Sequence, residues 1–175
     1  MREALMDAMQ ALFSRRSIRT YTSEAVSAAA IEEILEAAMS APSAGNQQPW
    51  HFVVITERKL LDRIPKFHPH SLMCRGTQLA VLVCGDPSIE KHAGYWAQDC
   101  AAATENLLVA VHAKGLGGVW VGVYPREERV VGFRKLLDIP EHVIPFAVIP
   151  IGHPAEQKPP RPDRYNKARI HKNRW

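Results

Sequence analysis

Arg15, Arg16 and Arg19 put three guanidiniums into five residues, with Ser17 between them. Arginine offers paired N–H donors that match phosphate oxygens, and a serine hydroxyl adds a further contact. An anion between them offsets their mutual repulsion; the plainer reading is a solvated basic turn. The far end of the chain is also cationic. Residues 158–175 hold seven Lys or Arg against one Asp, a net +6, so the remaining chain is −2 out of a total of +4. Arg164, Lys167 and Arg169 could close over the same anion as the first cluster. The competing reading of such a tail is a solvated or nucleic-acid-binding extension. A third group lies in "SAPSAGNQQPW", Ser40 to Trp50. This loop exceeds the roughly 2–6 residues that a helix-to-strand connection needs. Asn46, Gln47 and Gln48 bring donors and acceptors together, which suits a polyol chain or a ring bearing carbonyl and N–H groups. Pro42, Ser43, Ala44 and Gly45 are small enough for a flat ring to lie against their backbone. Without a ligand, the same residues read as a polar turn capping the preceding helix.

No residue declares itself an acid, base or nucleophile. "GLGGVWVG", Gly115 to Gly122, fails as a dinucleotide fingerprint because Trp120 stands where glycine is required and the run follows a helix. GxxxxGK[ST], HExxH and GxSxG are missing from the sequence. His68, His70 and Cys74 have no evident partner set, so no metal site is expected. Cys74, Cys84 and Cys100 are an odd, widely spaced set without a CxxC pair, expected as buried inert thiols in a reducing cytoplasm. Chemistry on such a chain belongs to a cofactor, with the protein supplying binding and orientation.

The elements that must carry these groups are read from periodicity. Helices are expected over 2–14, with Leu5, Met6, Met9, Leu12 and Phe13 near a 3.6 period, and over 28–40, with Ser27 as N-cap. "WHFVVIT" (50–56) reads as a strand, 57–64 as a short helix, and "LAVLVC" (79–84) as a strand buried on both faces. A long, largely apolar helix spans 94–114, with Gly115 as its C-terminal glycine. A strand follows at 119–123, a helix at 126–137 and a strand at 143–151. Pro145 and Pro150 push that last strand toward a sheet edge. The tail from His153 is expected to run extended across a surface. At 175 residues the chain is expected to form a single domain over 1–175. The imperfect alternation predicts an α+β fold, a mostly antiparallel or mixed sheet covered by helices. No apolar run approaches a membrane span of roughly 18–20 residues, and the N-terminus does not resemble a signal peptide.

Five segments in this order resemble the nitroreductase family of flavin enzymes: "RRSIRTY", "APSAGNQQPWHFVV", "QDCAAATENLLVAVHAKGLGGVWVGVYPREERV", "IPFAVIPIGHP" and "RYNKARIHKNRW". The resemblance runs from about Leu12 to Trp175 and is to the short branch, without the helical insertion of longer members. It implies FMN as cofactor, NADH or NADPH as reductant, and a homodimer with the flavin at the subunit interface. On this resemblance Arg15, Arg16 and Ser17 match the first phosphate and ribityl contact, with Arg19 beside them. Lys167 and Arg169, with Arg164 added, match the C-terminal phosphate cations. Asn46 and Gln48 match ribityl and ring contacts. Pro42, Ser43 and Ala44 would come from the partner subunit, and Trp120, Val121 and Gly122 would border the ring near its reactive nitrogen. Longer members often carry an acidic residue where this chain has Gly122.

The implied activity is ping-pong hydride transfer through FMN to nitroaromatics, quinones or related acceptors. Phe67, His68, Tyr95 and Trp96 are the candidate acceptor pocket, with core packing the other reading of Trp96. The same scaffold serves reductive dehalogenation and flavin cleavage, and a flavin-binding protein without turnover is a further reading. A basic nucleic-acid-binding module is the remote alternative; its tail has only Tyr165 and Trp175 for stacking. Neither a nucleic acid nor a membrane is expected as a partner.

Overall fold

The structure, a computed structural model, describes residues 6–175. Residues 1–5, which include the expected start of the first helix and Leu5, lie outside the described residues. In chain order the elements are α1 (Ala8–Ser14), α2 (Ala28–Met39), β1 (Trp50–Ile55), α3 (Arg58–Leu61), β2 (Leu79–Gly85), α4 (Trp96–Ala113), β3 (Gly117–Gly118), β4 (Val121–Gly122), α5 (Glu127–Leu137) and β5 (Ile144–Gly152). Met6 and Asp7, expected within the first helix, precede it.

The fold is α+β, around one antiparallel sheet. Its order is β1-β2-β5, with β3 and β4 both paired to the far side of β5. The apolar run that forms β2 is buried on both faces, as expected. Its side chains alternate. Leu79, Val81 and Val83 pack with α2 and α4, whereas Ala80, Leu82 and Cys84 pack with α3 and α5 around Phe133. Helix α4 sits against the sheet with α2 outside it, which explains why its apolar residues occupy so much of its circumference.

Two helix ends follow from sequence. The Ser27 hydroxyl accepts from the Ala30 N–H at 3.2 Å, the N-cap contact expected for α2. At the end of α4, Gly115 adopts φ +72°, its N–H bonds the His112 carbonyl, and the Leu116 N–H reaches back to Val111. These two bonds form a Schellman motif and satisfy carbonyls that the helix leaves open.

β5 departs from expectation. It is central, not an edge. Pro145 is absorbed at an irregularity in the β2 pairing between Val83 and Cys84. Pro150 has no N–H to donate, and it faces the gap between β3 and β4. Those fragments keep one register, Gly118 opposite Ile151 and Val121 opposite Val148, while Val119 and Trp120 stand outside the ladder. The strand expected over 119–123 is therefore two short pieces. α1 also departs, because Met9, Leu12 and Phe13 point outward and Phe13 is 70% exposed. Ala11 is the buried residue of that helix.

Candidate functional site

The two ends of the chain meet. Residues 17–22 run along the outer edge of the sheet and beside the start of the tail. The Ile18 N–H bonds the Gly118 carbonyl at 3.0 Å, Thr22 N–H bonds His153, and Ala155 N–H bonds Thr20. Glu156 locks this junction by accepting from the backbone N–H groups of Arg19 (2.5 Å) and Thr20 (3.2 Å) and from Lys158 Nζ (3.0 Å). The Arg19 N–H is the main cause of a Glu156 pKa held below the usual carboxylate range, with Lys158 adding to it. Lys158 Nζ also donates to the Ser17 carbonyl at 2.8 Å, and Arg16 Nη1 donates to the Pro159 carbonyl.

The consequence is a cationic depression of about 310 Å³ lined by Arg15, Arg16, Ser17, Arg19, Lys158, Arg161 and Arg164. Arg15 has Glu105 at 3.5 Å and Lys158 has Glu156. Among the described residues, Arg16, Arg19, Arg161 and Arg164 have no carboxylate within 4.0 Å. A donor set of this kind fits a phosphate dianion. Arg164 lines the depression, while Lys167 and Arg169 do not. They sit on an exposed turn further along the tail. Sequence reasoning missed Lys158 and Arg161; their positions in the basic tail were the available signal.

Arg19 also lines a second depression, of about 430 Å³, whose walls include His68, Met73, Trp120, Val121, Gly122 and Arg129. A charged cradle thus adjoins a slot walled by Trp120, Val121 and Gly122, the residues singled out for a ring. Trp120 is about one-third exposed, at 36%.

The loop over 42–48 lines neither depression. Its three carboxamides divide. Gln47 turns inward and is 7% exposed. Its Nε2 donates to Asp99 Oδ2 at 2.8 Å, and its Oε1 accepts from the N–H groups of Lys91 and His92. Asp99, in the first turn of α4, also accepts from the Ala44 N–H at 3.0 Å. Gly45 has φ +53°, and a Cβ there would lie 2.7 Å from His92 Nε2, so the turn favours glycine. Asn46 and Gln48 remain exposed, as do Pro42 and Gly45. The loop is thus a rigid platform that shows polar ends and small residues outward.

The four acceptor-pocket candidates do not form one pocket. Phe67 packs edge-on to Phe133, with ring centroids 5.1 Å apart. His68 is fully buried, and Trp96 is buried against Tyr124 and Phe146. Tyr95 is exposed. Core packing claims Phe67 and Trp96, whose flat faces fill space around α5 and α4, while His68, though buried, reaches the wall of the slot beside Gly122. Aromatic rings continue outward from Trp96 through Phe146 to Trp120. The three cysteines are buried and free, and desolvation pushes the Cys74 and Cys84 thiols up to about 12.

The chain matches the sequence model of the family described as "Nitroreductase family" over residues 12–86 and 79–153. A protein of Methanothermobacter thermautotrophicus, provisionally named NADH dehydrogenase/NAD(P)H nitroreductase, is 49% identical over 97% of this chain and 88% of its own length. A crystal structure of a protein provisionally given the same name, from Bacteroides thetaiotaomicron, superposes with a TM-score of 0.92 at 39% identity, covering 96% of this chain and 98% of that one. A nitroreductase from Desulfovibrio desulfuricans, also provisionally named and solved in complex with FMN, has a TM-score of 0.77 at 35% identity, over 91% of this chain and 94% of its own. The chain belongs to the nitroreductase family.

Proposed function

We propose that this protein is an NAD(P)H-dependent FMN oxidoreductase that works as a homodimer. The observation that carries the reading is the meeting of cations from both chain ends at one depression, beside a slot walled by Trp120, Val121 and Gly122. FMN held there would supply hydride transfer between a reduced nicotinamide and an oxidised acceptor.

The residues supply the rest. Arg15, Arg16, Arg19, Lys158, Arg161 and Arg164 neutralise the phosphate, each charge-assisted hydrogen bond contributing roughly 1.5–3 kcal/mol. Ser17 adds a hydroxyl. Trp120 and the backbone of Val121 and Gly122 wall one side of the ring. Pro42, Ser43, Ala44, Asn46 and Gln48 reach it from the partner subunit, because in their own subunit they line neither depression. The exposed apolar residues of α1 and the groove beside it, walled by Ala37, Val109 and Ala110, bury against that partner. Lys167 and Arg169 extend from a tail that crosses the interface.

Donor and acceptor would use the slot beside Trp120 in turn, a ping-pong cycle. Nitroaromatics and quinones are the acceptors that suit a slot bordered by Trp120, since flat rings stack on an indole. Anaerobic addition of NADH or NADPH to FMN-loaded protein should bleach the flavin absorbance, and a quinone or nitroaromatic should restore it. A spectrum unmoved by either donor would overturn the assignment.

A further inference from the structure

The fragment β4 is two residues long, and its hydrogen bonds fix the direction of its backbone. Val123 N–H bonds the Phe146 carbonyl across the sheet, in the same register that sets Val121 opposite Val148 and Gly122 opposite Ala147. Antiparallel ladders alternate hydrogen-bonded and non-hydrogen-bonded pairs. Val121 and the Val123 N–H therefore turn toward β5, the Val123 carbonyl being taken by the Arg126 N–H, and Gly122 turns its N–H and C=O toward the open edge. Gly118 obeys the same rule, since its carbonyl faces outward and accepts from Ile18.

The outward Gly122 carbonyl is held by two donors from two other parts of the fold. His68 Nε2 lies 2.9 Å from it, from the loop that precedes β2. Arg129 Nη1 lies 2.9 Å from it, from the first turn of α5. A carbonyl can only accept, so His68 carries its proton on Nε2, and its Nδ1 is buried without a partner. Burial, with the Arg129 charge beside it, lowers the His68 pKa and keeps the ring neutral. A fully buried histidine with one nitrogen unpaired is a costly way to fill a core. The cluster around Phe133 that it packs on would accept an apolar residue, so a histidine here points to the bond it makes.

We infer that His68 and Arg129 are positioning residues that clamp the Gly122 peptide and so set the ledge on which the flavin ring's reactive edge rests. Such a ledge needs a clamp here: its strand is two residues long, its ladder is interrupted at Pro150, and Gly122 has no side chain to anchor it. The reduced ring carries more negative charge than the oxidised ring. Fixed N–H dipoles and the Arg129 charge along this edge therefore favour the reduced form. The inference rests on the flavin reading above.

The test uses full-length protein loaded with FMN. It compares wild type with His68→Leu, which fills space without a donor, and His68→Gln, whose amide nitrogen can stand near the place of Nε2. FMN affinity is read by fluorescence quenching and the two-electron midpoint potential by dye equilibration. His68→Leu should bind reduced FMN about tenfold less tightly relative to oxidised FMN, which lowers the midpoint by about 30 mV. His68→Gln should stay within about twofold of wild type. If His68→Leu does not fold, Arg129→Met carries the same expected loss through the second donor. A folded His68→Leu and Arg129→Met with wild-type potentials would overturn the inference. So would a His68→Gln as impaired as His68→Leu, because that pattern belongs to ring packing alone. Wild-type protein that takes up no FMN would remove the flavin reading itself, and this inference with it; a flavin-loaded wild type with indifferent variants removes the inference only.

Discussion

Arg16 and Gln47 show how residues of similar promise in the sequence acquire different roles. Arg16 stands in the cationic depression with no carboxylate beside it. Arg16→Ala should weaken FMN binding roughly tenfold to a hundredfold, since each 1.4 kcal/mol is a factor of ten, and should leave the melting temperature nearly unchanged. Equilibrium titration checks the first expectation and thermal melting the second. Gln47 looks from sequence like a third ligand carboxamide beside Asn46 and Gln48, but it is a buried strut joining Asp99 to the backbone of Lys91 and His92. Gln47→Ala strands those partners and should destabilise the fold by about 2 kcal/mol, measured by urea unfolding. Sequence shows the donors of a loop but not which of them turn inward, because that depends on Asp99, 52 positions away. Glu156 gave no sequence signal at all: its role exists only once the two termini meet. Its carboxylate is held below the value of 4.5 it would have unpaired. A depressed acid contributes stability above its unfolded pKa and loses it as pH falls through the folded one. The melting-temperature gap between wild type and Glu156→Gln should therefore be constant above about pH 5 and close as the pH falls below 4.5. A gap that widens on acidification would contradict this.

Helices were legible in the chain to within a few residues where caps and periodicity agree, as at Ser27 for α2 and Gly115 for α4. Gly115 has open space around the position of a Cβ, so Gly115→Ala tests backbone conformation alone. It should destabilise by about 1 kcal/mol, seen as a lower urea midpoint with an unchanged slope. Strands were less legible. The prolines of β5 argued for an edge, yet the structure puts that strand at the centre and breaks its neighbour instead. A proline constrains the ladder on its N–H side only, and sequence does not say which neighbour will face it. The split between β3 and β4 leaves Trp120 outside the ladder, free to wall the slot. The acceptor-pocket candidates came apart for a related reason: aromatic type predicts packing as readily as stacking, and Phe67 and Trp96 went to packing, Tyr95 stays exposed, and His68 borders the slot.

The proposed assembly rests on what one subunit lacks. Its cations line one depression, its small and polar loop lies elsewhere, and its first helix exposes Met9, Leu12 and Phe13. In the proposed homodimer, pairing two subunits would join these parts and bury that surface. Phe13→Glu should convert a particle of twice 19.6 kDa into one of 19.6 kDa in sedimentation, with FMN retention lost in parallel. Among the described residues no helix is long and apolar enough to cross a membrane. The central claim concerns the cofactor's phosphate, and one pair of titrations addresses it: FMN against riboflavin, which lacks that phosphate, on the same apo-protein at the same ionic strength. The six cations of the depression predict that FMN binds at least a hundredfold more tightly, since two charge-assisted bonds contribute about 3 kcal/mol or more. Equal affinities would mean that the meeting of the two chain ends serves some other anion.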